Sequence, residues 1–498
     1  MSASRQTTLK GAKAQRVWEI FRQVSRVPRR SKNEELIIEW LRGFAADHNL
    51  ACRSDAVGNV VIELPATRGY ENAPTIVLQS HVDMVCEKTP ASKHDFSKDP
   101  IEIIERDGWV CADGTTLGAD NGLGVSLALS LVEEKLPHPK LELLFTVDEE
   151  TGLTGANGLQ QPFITGKYLI NLDGEDESFI IGCAGGEQTE ITVTPDWLDA
   201  PAGSTSSPQS GFDCFALRVS GLRGGHSGID IDKRRANAVV LLARTMSELD
   251  EQVKPFICSI EGGSAHNAIP RDAQAVICLD PSEIDRANQV LNSVVPVIAK
   301  EYASADPDLA IQLIPQDGPY CERVFAPAVA GKVINLLLAI PDGVYRMSSE
   351  FKGTVDTSGN LARVETARKE NLLRITTSQR SFNVSRLEHL TAKITAAASR
   401  AGARTMTSGR YPGWEPDTDS QLLKRCIKVY SELRGKTPPT KVVHAGLEPA
   451  VIKQKFPDIE AVSVGPTIES PHSPQERVEI ASVDSVWKFL LELIPALS

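Results

Sequence analysis

Glu149 and Glu150 stand side by side at the end of an apolar run, Leu141-Glu142-Leu143-Leu144-Phe145-Thr146-Val147, just ahead of Thr151-Gly152. Side chains alternate in direction along an extended chain, so two adjacent carboxylates at a strand end suit separate tasks. One can bind a cation while the other handles a proton. Four other places carry compatible donors. His81-Val82-Asp83 follows the apolar run 76–80, with His81 and Asp83 expected on one side. Asp120 lies in Leu117-Gly118-Ala119-Asp120-Asn121-Gly122, Asp173 in Asn171-Leu172-Asp173-Gly174, and His472 in Ser470-Pro471-His472-Ser473. Imidazole and carboxylate together suit Zn2+, with Mn2+ or Co2+ as substitutes. The five donors His81, Asp120, Glu150, Asp173 and His472 exceed what one tetrahedral ion with an open water position takes. Two ions sharing a carboxylate account for all five.

Taken singly, each residue has an ordinary structural use. Asp120 ahead of a helix is an N-cap, Asp173 before glycine is a turn residue, and a histidine after a strand is commonly a hydrogen-bonding group. Their joint occurrence at strand ends carries the argument, because open α/β sheets place their sites beyond the C-terminal ends of strands.

The elements that must position them read as follows. An amphipathic helix is expected at about 13–27 and a second at about 32–48, followed by buried strands at 76–80 and 168–172 and a helix that begins just after Asp120. Buried strands separated by helices predict a mostly parallel, helix-covered central sheet, hence an α/β fold. The stretch 187–404 has a different texture. It shows strand–helix–strand–strand–helix order from Phe215 to about 303. It continues with a helix at 327–339, strands on either side of Arg368-Lys369-Glu370-Asn371, and a helix near 385–402. That order predicts a large α+β domain of two ferredoxin-like halves. An exposed loop is expected at 199–211. After about 405 the α/β texture returns and ends in a helix over 482–493, with Pro495 as its stop. The predicted organisation is a catalytic domain of 1–186 and 405–498 interrupted by an inserted domain of 187–404.

At 498 residues the chain exceeds what one core organises. A net charge of -12 argues against nucleic acid or an anionic membrane as partner. The N-terminus to Lys13 lacks an apolar signal core and no run reaches membrane-spanning length, so a cytoplasmic location is expected. Nine scattered cysteines without a CxxC pair predict reduced, mostly buried thiols.

The segments around His81, Asp120, Glu149-Glu150, Asp173 and His472 match, in order, the signature of the co-catalytic dizinc exopeptidases. That family includes carnosinases, aminoacylase, carboxypeptidase G and succinyl-diaminopimelate desuccinylase. His81 to Lys88, Gly225-His226-Ser227-Gly228, Thr357 to Ala362 and His444 to Glu448 resemble its aminoacyl-histidine dipeptidase branch. The resemblance covers essentially the whole chain and implies a zinc-exopeptidase-like domain carrying a lid of roughly double the family's usual size. It implies that Asp120 bridges two Zn2+ ions, with His81 and Asp173 completing one site and Glu150 and His472 the other. Glu149 is then the general base and Asp83 the partner that orients His81. The peptide at 120–121 is implied to be a non-proline cis bond. His226, on the inserted domain, is implied to be an oxyanion-stabilising donor, with Asn267, Asn360 and Arg380 as substrate-binding candidates. The implied activity is hydrolysis of short peptides with a free N-terminus, Xaa-His dipeptides such as β-alanyl-histidine among them. The alternatives are an amidohydrolase acting on N-acyl amino acids and an inactive binding relative. Whether His226 serves its own chain or a partner in a homodimer joined through the lid is left open.

Overall fold

Short apolar runs flanked by turn residues form the strands of the first unit, in the computed structural model, which describes residues 13–200, 212–316 and 321–498. The loop expected at 199–211 lies outside the described residues from 201 onward. The chain divides into two compact units: one holds the residues up to Cys183 with Trp414–Val442 and Leu447–Ser498, the other Ala184–Gly413 with Val443–Gly446. The division therefore falls at 183/184 and 413/414, not at 186 and 404, and a four-residue segment returns to the second unit.

In the first unit an eight-stranded sheet runs in the order Ala51–Ser54, Val60–Leu64, Leu141–Thr146, Ile76–His81, Tyr168–Asn171, Glu460–Ser463, Phe179–Cys183, Thr440–Val443. Its four middle strands are parallel. Val60–Leu64 pairs antiparallel to Leu141–Thr146, and Phe179–Cys183 antiparallel to Glu460–Ser463. The middle strands Ile76–His81 and Leu141–Thr146 are buried at every position, as strands covered on both faces must be. Helix Gln15–Val24 buries Val17, Trp18, Ile20, Phe21 and Val24, each worth roughly 1.5–3 kcal/mol over exposure. Helix Ala119–Ser130 is almost wholly buried, and a Cβ at its Gly124 would lie 2.7 Å from the Leu172 carbonyl oxygen, so glycine there permits the close approach of helix to strand end. The closing helix runs Ile480–Ala496 and contains Pro495 instead of stopping before it. In the last turn proline forfeits one backbone bond, which the buried face of the helix outweighs.

In the second unit the strands Asp213–Ser220, Phe256–Gly262, Ala273–Leu279 and Ala310–Pro315 with helices Ala238–Gln252 and Ile284–Tyr302 form one half. Its spatial order, fourth-first-third-second, is ferredoxin-like. The other half has Gly185–Val193, Val355–Ala367, Leu372–Ser381 and Arg404–Tyr411 with helices Pro327–Ala339 and Val384–Arg400, in the mirrored order second-third-first-fourth. The halves join edge to edge at Glu261↔Glu365 and Gly262↔Val364. The last strand of the second half, Arg404–Tyr411, therefore belongs here although the sequence placed the end of the insertion at 404. Arg404–Tyr411 is a mostly exposed edge strand without apolar alternation, so its sequence carries little strand signal. Among the described residues no helix is long and apolar enough to cross a membrane.

Candidate metal centre

His81 is the last residue of strand Ile76–His81 and is 1% exposed. Its Nε2 lies 3.1 Å from Asp120 Oδ1 and 3.4 Å from Asp173 Oδ1, and its Nδ1 lies 3.3 Å from Asp83 Oδ1. The carboxylate of Asp83 also accepts the backbone N–H groups of Glu149 (3.0 Å) and Glu150 (3.2 Å) and the Ser31 hydroxyl (2.8 Å). Burial pushes this carboxyl up, but the bonds from His81, Glu149 and Ser31 prevail and bring it down to about 2. One fully buried side chain thus orients the histidine and pins the backbone of the acidic pair.

The acidic pair itself is not on extended chain. The strand ends at Thr146, and Asp148 adopts φ +48° with its carboxylate holding the hydroxyls of Thr151 (2.6 Å) and Thr154 (2.5 Å). The expected alternation of Glu149 and Glu150 is replaced by a turn that gathers both carboxylates within 4.8 Å of each other and of a His81 ring nitrogen. Asp148 fixes the turn geometry, a signal visible as Asp-Glu-Glu-Thr-Gly.

Asp120 sits in a kink. Asp120 and Asn121 have non-helical backbone, so regular helix begins at Gly122, and the peptide between them is cis. Two buried residues that the sequence reading missed hold this turn. Glu476 accepts the N–H groups of Leu117 (2.7 Å), Gly118 (2.9 Å), Ala119 (2.8 Å) and Asp120 (3.3 Å). Arg29 donates to the carbonyls of Val82 (3.0 Å), Asp83 (3.0 Å) and Gly118 (2.5 Å). Gly118 is left-handed (φ +68°), and a Cβ on it would strike the Arg29 guanidinium. Arg29 follows a proline and Glu476 lies four residues beyond His472; only those offsets hinted at either. Glu476→Gln is expected to lower the unfolding free energy by about 2–3 kcal/mol, the worth of charge-assisted bonds lost to a misplaced amide. Urea denaturation measures it, and an unchanged midpoint would remove Glu476 as the clamp of this turn.

The second histidine, His472, is half-exposed, with Nε2 3.0 Å from Asp120 Oδ2 and 3.1 Å from Glu150 Oε2. Asp120 thus offers one oxygen to each histidine. Two donor triads result, His81–Asp120–Asp173 and Asp120–Glu150–His472, sharing one carboxylate. Glu150 Oε1 is buried without a hydrogen-bond partner. Burial first, and then neighbouring carboxylates, push Glu149, Glu150 and Asp173 upward. So many buried carboxylates are tolerated when cations compensate them. The all-N/O donor set and the orphaned oxygen fit a pair of divalent ions. Beneath the site, Gln79 donates to Thr146 (3.1 Å) and to Glu448 (2.5 Å), and Asn171 donates to Gln79 (2.6 Å). These side chains lock the three strands that end in His81, the acidic turn and Asp173.

The remaining sequence candidates lie in the second unit. His226 pairs in the short ladder Gly225–His226 with Ala268–Ile269. Its Nδ1 accepts the N–H groups of Gly228 and Ile229, both at 3.2 Å, so the ring proton resides on Nε2. Burial, followed by the Arg380 charge, lowers its pKa to about 4, which makes it a neutral donor at pH 7. Asn360 donates to the Ala268 carbonyl (2.9 Å) and keeps a buried Oδ1 without a partner. Arg380 donates to the Tyr411 hydroxyl at 2.7 Å. Asn267 is exposed on the turn between His266 and Ala268, its carbonyl taking the Ser227 N–H at 2.8 Å. Two unassigned neighbours share this region: His444, bonded to Ser358 at 2.7 Å, and Tyr411. His444 belongs to the segment His444–Glu448 and carried no chemical signal of its own.

With this geometry in place, comparison with known proteins decides the family. The pattern of Peptidase family M20/M25/M40 matches residues 77–496. The chain belongs to that family. This M20 peptidase is 38% identical over 483 residues to the "Cytosol non-specific dipeptidase" of Escherichia coli strain K12, covering 96% of this chain and 97% of that protein. The crystal structure of aminoacylhistidine dipeptidase from Vibrio alginolyticus matches with a TM-score of 0.87 at 35% identity, covering 99% of this chain and 98% of that one. An aminopeptidase from Bacillus cereus shares the fold at a TM-score of 0.55 and 18% identity. The M20 peptidase is therefore an α/β zinc-exopeptidase-type fold interrupted by an α+β unit, as its motifs implied.

Proposed function

We propose that this chain is a metal-dependent dipeptidase that cleaves short peptides with a free N-terminus, Xaa-His dipeptides such as β-alanyl-histidine among them. The observation that carries this reading is the Asp120 carboxylate, whose two oxygens meet different histidines, each histidine in its own triad with a further carboxylate. His81, Asp120 and Asp173 would hold one ion, and Glu150 and His472 the other with the second oxygen of Asp120. Zn2+ suits this donor set, with Mn2+ or Co2+ as substitutes. When bound, such a pair lowers the pKa of a shared water and polarises the scissile carbonyl.

Glu149 is the proton carrier in this reading. Burial holds its carboxyl well above the ordinary range, and in this reading it takes a proton from the attacking water and returns it to the departing amine. Asp83 fixes the His81 ring and, through two backbone N–H groups, the position of Glu149. His226, neutral with its proton on Nε2, is assigned as the donor to the developing oxyanion. Arg380 is assigned to the peptide carboxylate, with Asn360 and Asn267 as further polar contacts. The names of the two relatives support a dipeptide substrate, and the Vibrio protein's name supports histidine at its C-terminal position. The name of the E. coli protein supports action in the cytoplasm.

Metal analysis combined with a substrate panel tests the reading. About two ions per chain are expected, with turnover of carnosine and Gly-Gly and none of N-acetyl amino acids. The opposite substrate preference would make the enzyme an amidohydrolase. His226→Ala is expected to lower kcat by roughly 10²- to 10³-fold with metal content unchanged. A near-normal kcat would return His226 to a purely structural role in its turn.

A further inference from the structure

Four of the nine cysteines, far apart in sequence, meet in one buried pocket of the first ferredoxin-like half. Cys214 and Cys278 face each other across paired strands, with their sulfurs hydrogen-bonded at 2.6 Å. Cys258 sits at a β-bulge, where pairing steps from Ile257↔Ile277 to Ser259↔Val276 and leaves it without a cross-strand partner. A bulge re-aims a side chain, and the Cys258 sulfur lies 3.5 Å from that of Cys278. Cys258 is also joined to Cys321 in a disulfide, against the expectation of reduced thiols throughout. That expectation failed because no CxxC spacing marks a pair that only folding brings together. Val324, Phe212, Phe256 and Val276 enclose the group. Cys258, Cys278 and Cys321 are fully buried, and Cys214 is 8% exposed. The four sulfurs thus form a row, 214–278–258–321, with a disulfide at its inner end and a thiol pair at its outer end.

We propose that this row is a thiol–disulfide exchange site in which a single disulfide moves between Cys258–Cys321 and Cys214–Cys278. In the first step the Cys278 thiol gives its proton to solvent and the resulting thiolate attacks Cys258 Sγ. The Cys258–Cys321 bond breaks and its electron pair leaves on Cys321 as thiolate. In the second step the Cys321 thiolate takes the proton of the Cys214 thiol, through solvent. The Cys214 thiolate then attacks Cys278 Sγ, and Cys258 departs as thiolate and takes up a proton from solvent. Two thiol groups and one disulfide stand on each side, so no external oxidant or reductant is consumed.

The two states constrain the chain differently. The Cys258–Cys321 link spans 63 residues of sequence and ties Cys321, two residues before the strand Arg323–Phe325, to the sheet. The Cys214–Cys278 link joins strands that a ladder of hydrogen bonds already holds. Migration therefore releases Cys321, whose following strand, Arg323–Phe325, pairs with Trp197–Asp199.

The test is peptide mapping of the full chain equilibrated in a glutathione thiol/disulfide buffer, quenched with acid, alkylated with N-ethylmaleimide and digested without reduction. Cleavage after Arg271 separates Cys258 from Cys278. The expected result is one disulfide per chain, found as both Cys258–Cys321 and Cys214–Cys278 linked peptides. In Cys278→Ser the Cys214–Cys278 product is lost and Cys214 is fully alkylated, with Cys258–Cys321 retained. The proposal is overturned by Cys258–Cys321 as the sole product in the wild type, by two disulfides present together, or by four alkylated thiols with or without a bound Zn2+ ion. It is equally overturned if Cys214 is cross-linked to Cys258 or Cys321 in Cys278→Ser.

Discussion

Glu149→Ala is expected to leave two metal ions bound while turnover of a dipeptide falls by roughly 10³- to 10⁴-fold, about 4–5.5 kcal/mol of transition-state stabilisation. The two consequences separate because Glu149, although within 4.8 Å of His81 and Glu150, is a member of neither donor triad that shares Asp120. Its backbone N–H is held by Asp83, a bond that the substitution keeps. Loss should therefore appear in kcat, with KM for a short peptide little changed, since removing a proton carrier affects the transition state and not substrate binding. Atomic absorption on the purified variant, together with steady-state kinetics on carnosine, measures both. Retained activity would remove Glu149 as the base. Lost metal would mean that it is a ligand instead.

Asp120→Asn is expected to remove the ions themselves. This carboxylate meets both histidines, and an amide oxygen carries neither the charge nor the second anionic oxygen that a shared ligand supplies. Metal content should fall from about two ions per chain toward zero after gel filtration, and hydrolysis should fall with it. Excess Zn2+ should restore little, because the lost carboxylate is the one donor common to both triads. The control is Glu476→Gln, which disturbs the turn that presents Asp120 while leaving every proposed ligand in place. An Asp120→Asn protein that kept both ions at wild-type affinity would sink the shared-carboxylate arrangement and, with it, the two-ion reading of the five donors.

The chemical inventory was legible in the chain because reactive groups here announce themselves by type and by setting. A histidine after a buried strand, Asp before Gly, and Glu-Glu before Thr-Gly could each be placed at a strand end from local pattern alone. The ordered motifs then implied a family. The middle strands of the first sheet were equally legible, since burial on both faces demands unbroken apolar runs such as Ile76-Val77-Leu78. The helix order of the inserted unit disclosed its ferredoxin-like halves.

Other features were decided only by the tertiary structure, for reasons of physics. Arg29 and Glu476 are charged side chains that an unfolded chain would leave in water. Their roles exist because the turn at Leu117–Asp120, distant from both in sequence, presents carbonyls and N–H groups in need of partners. The edge strand Arg404–Tyr411 has no apolar alternation, because its partner on one side supplies hydrogen bonds and not a core. The direction of Glu149 and Glu150 came from the left-handed turn at Asp148, not from strand alternation. The convergence of Cys214, Cys258, Cys278 and Cys321 depends on strand register and one bulge, both set by long-range pairing. Sequence alone named the candidate groups for binding metal and carrying a proton. Folding decided which oxygen of Asp120 faces which histidine, and that placement is what gathers five donors into two linked triads.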